Sequence, residues 1–168
     1  MTDVDARLAA LEQRVALLQD HLDITTLIYT YPAAVDSGSA TTVSGLWTED
    51  GVYDVDPRPM NGRAEIEAMV GSSAHQGYIH DGCGHFPAPA RVTVDGDTAV
   101  AIQYTQLIMN KVDAAGFRIA RLTANRWELA RGADGWRVTK RTGRVLDGRP
   151  ESREMLAAGV GGQPVSRP

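Results

Sequence analysis

The sequence predicts an α+β fold, a cone-shaped barrel in which N-terminal helices cover a curved antiparallel sheet wrapped around a pocket. Three observations predict it. Up to about residue 36 the apolar residues recur three and four apart, the period of helices. From Arg91 onward apolar and polar residues alternate, with turn signals at Asp95-Gly96-Asp97 and Gly132-Ala133-Asp134-Gly135. Helices come first and a meander of strands last, and that segregation gives α+β. A twisted sheet backed by helices forms a cone whose mouth can hold a small ligand.

The composition bounds what such a fold can do. The chain has 168 residues, 43% hydrophobic and 23% charged, which suits one globular domain large enough for a core and a pocket. A formal charge of −4 does not favour phosphate backbones or anionic lipid, so neither nucleic acid nor membrane is expected as a partner. Cys83 is the only cysteine, which rules out an intramolecular disulfide. The opening segment carries acids before its apolar residues and lacks an uninterrupted apolar stretch, so it reads as neither signal peptide nor membrane span. A soluble, cytoplasmic protein is the expectation.

Each element follows from local chemistry. Leu8, Leu11, Val15, Leu18 and Leu22 form a narrow seam on a helix over residues 1–22, either lying on its own domain or joining subunits. The pattern resumes at Ile24, Leu27, Ile28 and Tyr31, where Pro32 is expected to kink or interrupt it. Asp36-Ser37-Gly38 supplies a turn. Val43, Leu46 and Trp47 precede an acidic turn, Glu49-Asp50-Gly51, and a short strand over Val52–Val55. Pro57-Arg58-Pro59 reads as a loop, and Gly62 to Val70 as a short helix on Ile66, Met69 and Val70. Residues 71–90 are rich in Gly and Pro, read as a loop, and hold three of the four histidines. Strands are expected over Arg91–Val94, Thr98–Met109, Phe117–Ala130 and Trp136–Val145. On the third, Phe117, Ile119, Arg121, Thr123, Asn125, Trp127 and Leu129 share one side. Trp47, Trp127 and Trp136 are read as core. The domain is expected to span residues 1–147, and residues 148–168 to form an irregular tail.

The run Ile24-x-x-Leu27-Ile28-x-x-Tyr31-x-x-x-x-Asp36-x-Gly38, followed by Leu46-Trp47-Thr48-Glu49-Asp50-Gly51-Val52-Tyr53, Gly62-Arg63-x-x-Ile66, His85, Val92 to Ala99 and Asp134-Gly135-Trp136-Arg137-Val138, resembles the SnoaL-like branch of the nuclear transport factor 2 superfamily. The likeness spans about residues 20–146 in the family's order. The fold hosts dehydratases, isomerases, cyclases, dehydrochlorinases, hydrolases and non-catalytic binding modules. Members of the scytalone dehydratase, bile acid 7α-dehydratase and hexachlorocyclohexane dehydrochlorinase type pair an Asp ending the first helical region with a His before the first long strand. Asp36 and His85 stand at those positions. Tyr31 and Tyr53 stand where the bile acid enzyme's pattern has tyrosines, although Pro32 departs from that pattern. The last strand of the family often adds a polar or basic residue, for which Lys140, Arg141 and Arg144 are the candidates. Oligomers, trimers or dimers, are also implied.

An Asp–His pair is suited to removing a carbon-bound proton: the carboxylate fixes the tautomer and stabilises the imidazolium that forms. The resemblance therefore implies His85 as base, Asp36 as its orienter, and Tyr31 and Tyr53 as donors to substrate oxygens. Tyr104 and Asn125 are candidate pocket residues from the sheet. Each also has a plainer reading, as a strand-edge histidine, a turn-forming aspartate, core tyrosines or ordinary strand positions. A rival chemistry is metal binding by His75, His80, Asp81, Cys83 and His85, which crowd one short stretch but match no standard ligand spacing. Nucleophile-elbow, P-loop and dinucleotide motifs are absent. The reaction expected is elimination of water from a hydrophobic polyketide, steroid-like or aromatic molecule without metal or cofactor. An isomerase, a cyclase or a non-catalytic binding module is the alternative.

Overall fold

The computed structural model describes residues 3–55, 58–113 and 115–161. Helix α1 (Asp3–Asp36) leads into the short α2 (Ala40–Ser44), strand β1 (Trp47–Asp54) and the two-residue β2 (Met60–Asn61). Helices α3 (Gly62–Gly71) and α4 (Ser73–Asp81) follow, then β3 (Cys83–Pro87), β4 (Arg91–Asp95), β5 (Thr98–Asn110), β6 (Phe117–Gly132) and β7 (Gly135–Val145), and finally α5 (Pro150–Val160). The strands form one sheet in the order β2-β1-β7-β6-β5-β3, with β4 also paired to β5. All pairings are antiparallel except β1 with β7.

The core forms where α1 crosses the concave face of this sheet. Ile24, Leu27, Ile28, Tyr31 and Val35 recur at helical spacing and are buried against Trp47, Trp127, Leu129 and Val138. Trp47 and Trp127 are fully buried, and truncating either to Ala would cost about 3–5 kcal/mol. Gly51 exists to admit Trp47: a Cβ at that position would sit 2.7 Å from the indole Cδ1. Trp136 is buried as well, its indole N–H donating to Asp20 at 3.1 Å. Arg131 closes a second contact to Asp20 at 2.7 Å and so pins α1 to the end of the β6–β7 hairpin.

Four expectations are corrected. Helix α1 does not break at Pro32 but runs through it to Asp36. The residues flanking the proline, Ile28, Tyr31 and Val35, are all locked into the core, and their burial outweighs the roughly 3 kcal/mol a helical proline costs. The chain turns only where Gly38 adopts a φ of 72°. The segment over residues 71–90 is not a loop throughout, because it contains α4 and β3. Nor is the tail irregular as far as it is described, since Pro150 starts α5, which lays Gly159 on Ile102 of the sheet. Finally, Phe117 and Ile119 do not share a face with Asn125. The β5–β6 register steps from Leu107–Arg121 to Ile108–Ile119, leaving Ala120 as an extra residue, and beyond this bulge both side chains are exposed.

Before Asp20, every described residue of α1 is exposed, including the whole Leu8–Leu22 seam except that its last member lies just past the pin. The seam does not lie on its own domain. Part of the loop expected at Pro57-Arg58-Pro59 and the end of the tail lie outside the described residues. No described helix is long and apolar enough to cross a membrane.

Candidate active site

The end of α1 and the edge strand β3 meet at one point. Asp36 is the last residue of the helix, and β3 lies beside it because its five residues pair with Thr105–Met109 of β5. Asp36 grips His85 twice. One carboxylate oxygen accepts from the ring Nδ1 at 2.6 Å and the other from the His85 backbone N–H at 2.7 Å. A carboxylate can only accept, so Nδ1 carries the proton, and in the neutral ring the lone pair is on Nε2. Both side chains are largely buried, at 11% and 21% exposed. Cys83 lies on the same carboxylate, its sulfur 3.9 Å from Oδ1. Burial pushes the Cys83 thiol up, and the adjacent Asp36 charge pushes it further.

His85 faces two adjoining chambers under the concave sheet. The smaller, about 30 Å³, is lined by Tyr53, His85, Thr105, Arg121, Asn125 and Arg141 among others. The larger, about 170 Å³, shares Tyr53, His85 and Arg121 and adds Tyr31, Met60, Met69, His75 and Tyr78. Tyr31 is 3% exposed, and its ring stands edge-on to Trp47, Tyr53, His85 and Trp127. Burial holds its phenol far above the usual range; the nearby Tyr53 adds to this and Arg141 opposes it. Tyr31 is therefore a neutral hydroxyl at any physiological pH.

Of the three basic candidates on β7, Arg141 is the one that lines a chamber. Its guanidinium lies 4.2 Å from the ring centroids of Tyr31 and Trp127 and 4.8 Å from that of Tyr53. Nε and Nη2 both donate to the Asn125 side-chain oxygen, at 3.2 and 2.9 Å. Asn125 in turn donates to Thr105 at 3.1 Å. Nη1 is buried with no partner among the described residues, and no carboxylate is paired with this cation. Three aromatic faces compensate part of the desolvation, each contributing about 0.5–2 kcal/mol. Lys140 and Arg144 lie on the opposite face of the strand, where both meet Asp54, at 3.7 and 2.9 Å.

The structure brings together Tyr31, Asp36, Tyr53, His85 and Asn125 of the expected set. Asn125 is spent on Arg141 and Thr105, so it orients the guanidinium instead of offering a free donor. Tyr104 is not in the pocket. It stands on β5 between the inward-facing Gln103 and Thr105, and strand alternation turns it outward, 47% exposed. The histidine-rich stretch does not converge either. His75 is buried with Nε2 on the Val35 carbonyl at 2.9 Å, whereas His80 is exposed beside Asp81. Among the described residues no three His, Cys, Asp or Glu side chains gather as a metal site. Arg121 lines both chambers, and its place two and four residues from Thr123 and Asn125 on an alternating strand was the signal for it.

Comparison with known proteins places this architecture. Residues 16–142 match the SnoaL-like domain. An NTF2-like protein of cystatin-like fold from Novosphingobium aromaticivorans is 39% identical over 89% of this chain and 96% of that one, with a TM-score of 0.85. Rv3472 of Mycobacterium tuberculosis, a protein of unknown function solved as an Asp-to-Asn variant, is 23% identical, covers 86% and 92% of the two chains and has a TM-score of 0.69. A candidate scytalone dehydratase from Novosphingobium aromaticivorans is 12% identical over 81% and 88%, with a TM-score of 0.65. The last two share the fold. No functionally curated protein matches.

Proposed function

Because this chain belongs to the SnoaL-like domain family, we propose that it is a lyase that eliminates water from a small, largely hydrophobic hydroxylated carbonyl compound. The observation that carries this reading is the two-point grip of Asp36 on His85 at the wall of the chambers. The likeness to a candidate scytalone dehydratase agrees with it at the level of fold.

In this reading His85 Nε2 removes a proton from the carbon beside the substrate carbonyl. The electron pair moves onto the carbonyl oxygen, and the unpartnered Nη1 of Arg141 is the donor assigned to that charge in this reading. The pair then returns to form the carbon–carbon double bond as the carbon–hydroxyl bond breaks. The departing oxygen takes that proton back from the His85 imidazolium and leaves as water. Asp36 is the positioning residue: it fixes the Nδ1–H tautomer and stabilises the imidazolium through their 2.6 Å contact. Tyr31 stays a protonated donor to the substrate's oxygens, and the Tyr53 hydroxyl is the second donor beside it. A positioned base contributes about 10²–10⁴-fold, and one oxyanion donor about 10²–10³-fold.

The test is a screen of β-hydroxy ketones and hydroxylated cyclic ketones for water loss, followed by comparison with His85→Ala and Asp36→Asn proteins. Water loss by the wild type that disappears in His85→Ala is expected. Turnover that persists in both variants would refute the assignment.

A further inference from the structure

We infer that the substrate carries a carboxylate, and that Arg121 binds it at the mouth of the site. This deepens the lyase reading and rests on it for the word substrate; the charge argument itself does not. Arg121 is half-buried, lines both chambers and has no hydrogen bond or ion pair among the described residues. On the same two strands, Arg126, Arg131 and Arg144 each meet a carboxylate, of Glu128, Asp20 and Asp54. Of the other arginines on these strands without one, Arg118 and Arg137 lie outside the chambers, whereas Arg121 and Arg141 face them. No described Asp or Glu lines either chamber, since Asp36 sits behind His85. A guanidinium is charged at every physiological pH, and its planar fork fits a carboxylate with two parallel hydrogen bonds.

The sheet register places this cation relative to the base. His85 pairs with Leu107, and Leu107 pairs with Arg121, so the three stand in one row across β3, β5 and β6. Strands lie about 4.8 Å apart, which puts the Arg121 and His85 backbones about 10 Å from each other. The bulge at Ala120 falls immediately before Arg121, and such bulges re-aim the adjoining side chain. Between the two residues lies the larger chamber, whose volume of about 170 Å³ is close to that of a cavity of about 150 Å³ that encloses benzene. A molecule held at Arg121 by its carboxylate would thus present a carbon about one ring away to His85 Nε2. Arg141, deeper on β7, is left for the oxygen on which charge develops.

The probe pair is cinnamate and cinnamamide, equal in size and differing in charge, with dissociation constants measured by calorimetric titration. Wild-type protein is expected to prefer cinnamate by at least about tenfold, the increment of one charge-assisted contact over a neutral one. Raising the salt concentration should weaken cinnamate and leave cinnamamide unchanged. Arg121→Gln should bring the two ligands to equal affinity, and Arg121→Lys should keep part of the preference. Equal affinities in the wild type would overturn the inference. So would a preference that survives Arg121→Gln, or one lost only in Arg141→Gln, which would assign the carboxylate to the deeper guanidinium. The titration reads binding and needs no turnover. Failure of the water-loss screen would therefore refute the lyase reading without touching this one.

Discussion

Asp36 holds His85 by ring and backbone together, with Nδ1 at 2.6 Å from one carboxylate oxygen and the peptide N–H at 2.7 Å from the other. A single contact would leave the imidazole free to rotate about its side-chain bonds. Two contacts fix the strand and the ring at once, so that Nε2 points at the chambers. The expected consequence is a histidine locked in the Nδ1–H tautomer. Long-range ¹H–¹⁵N correlation spectra should show His85 Nε2 unprotonated and Nδ1 protonated in the neutral ring. In Asp36→Asn the signals should shift toward the mixture of an unrestrained histidine, whereas an unchanged tautomer would show that the carboxylate does not set it.

The same carboxylate should suppress the chemistry of Cys83. Desolvation is the larger reason that its thiol is raised, and the Asp36 charge 3.9 Å away is the second. A raised thiol value means less thiolate at a given pH, and thiolate is the form that reacts. Alkylation by iodoacetamide at pH 8 should therefore be slower than for a free cysteine. Asp36→Asn should accelerate it, but only in part, because burial remains. Equal rates in wild type and variant would separate Cys83 from Asp36.

The helical core, the Asp95-Gly96-Asp97 hairpin and the meeting of Asp36 with His85 were legible because each rests on local spacing or on a motif carried by the family. What was not legible depends on long-range packing. Nothing in the sequence near Pro32 reveals that Tyr31 and Val35 will both be locked in the core, so of the kink or interruption that a local rule expects, burial overrides the interruption. Tyr104 turns outward because Gln103 and Thr105 take the inward phase of β5, which tertiary packing sets and local sequence does not. The choice of Arg141 over Lys140 and Arg144 likewise required the phase of β7, and a bulge in the β6–β7 pairing between Glu128 and Leu129 disturbs simple counting there.

The projecting part of α1 should bind a second copy of the chain. Val4, Leu8, Leu11, Val15, Leu18 and Leu22 are 55–69% exposed on one stripe, along a helix anchored only from Asp20 onward. A helix of that length exceeds only slightly the ~12–15 residues below which isolated helices are marginal in water, and an alternating three- and four-residue seam is the pattern two such helices bury against each other. Replacing Leu11 and Leu18 together by Glu should lower the mass measured by light scattering and reduce helix content. A mass unchanged by both substitutions would assign any self-association to another surface.

Arg141 sets function against stability, and removing it should move the two in opposite directions. A buried guanidinium loses hydration worth several kcal/mol, and with no carboxylate beside it only the rings of Tyr31, Tyr53 and Trp127 and the oxygen of Asn125 offset that loss. In Arg141→Met the thioether fills the same space among the aromatic rings without a charge. The Asn125 oxygen is then left unbonded, at a cost of about 1–3 kcal/mol, which is smaller than the desolvation recovered. The variant is therefore expected to melt no lower than the wild type. Its turnover in water elimination should fall by about 10²–10³-fold, the usual effect of losing one donor to a developing oxyanion. Arg141→Lys tests the geometry: it keeps the charge but cannot span Asn125 and the substrate oxygen with one planar fork, so it should recover little. A melting temperature that drops sharply in Arg141→Met, with turnover retained in whatever protein stays folded, would make Arg141 a structural cation instead.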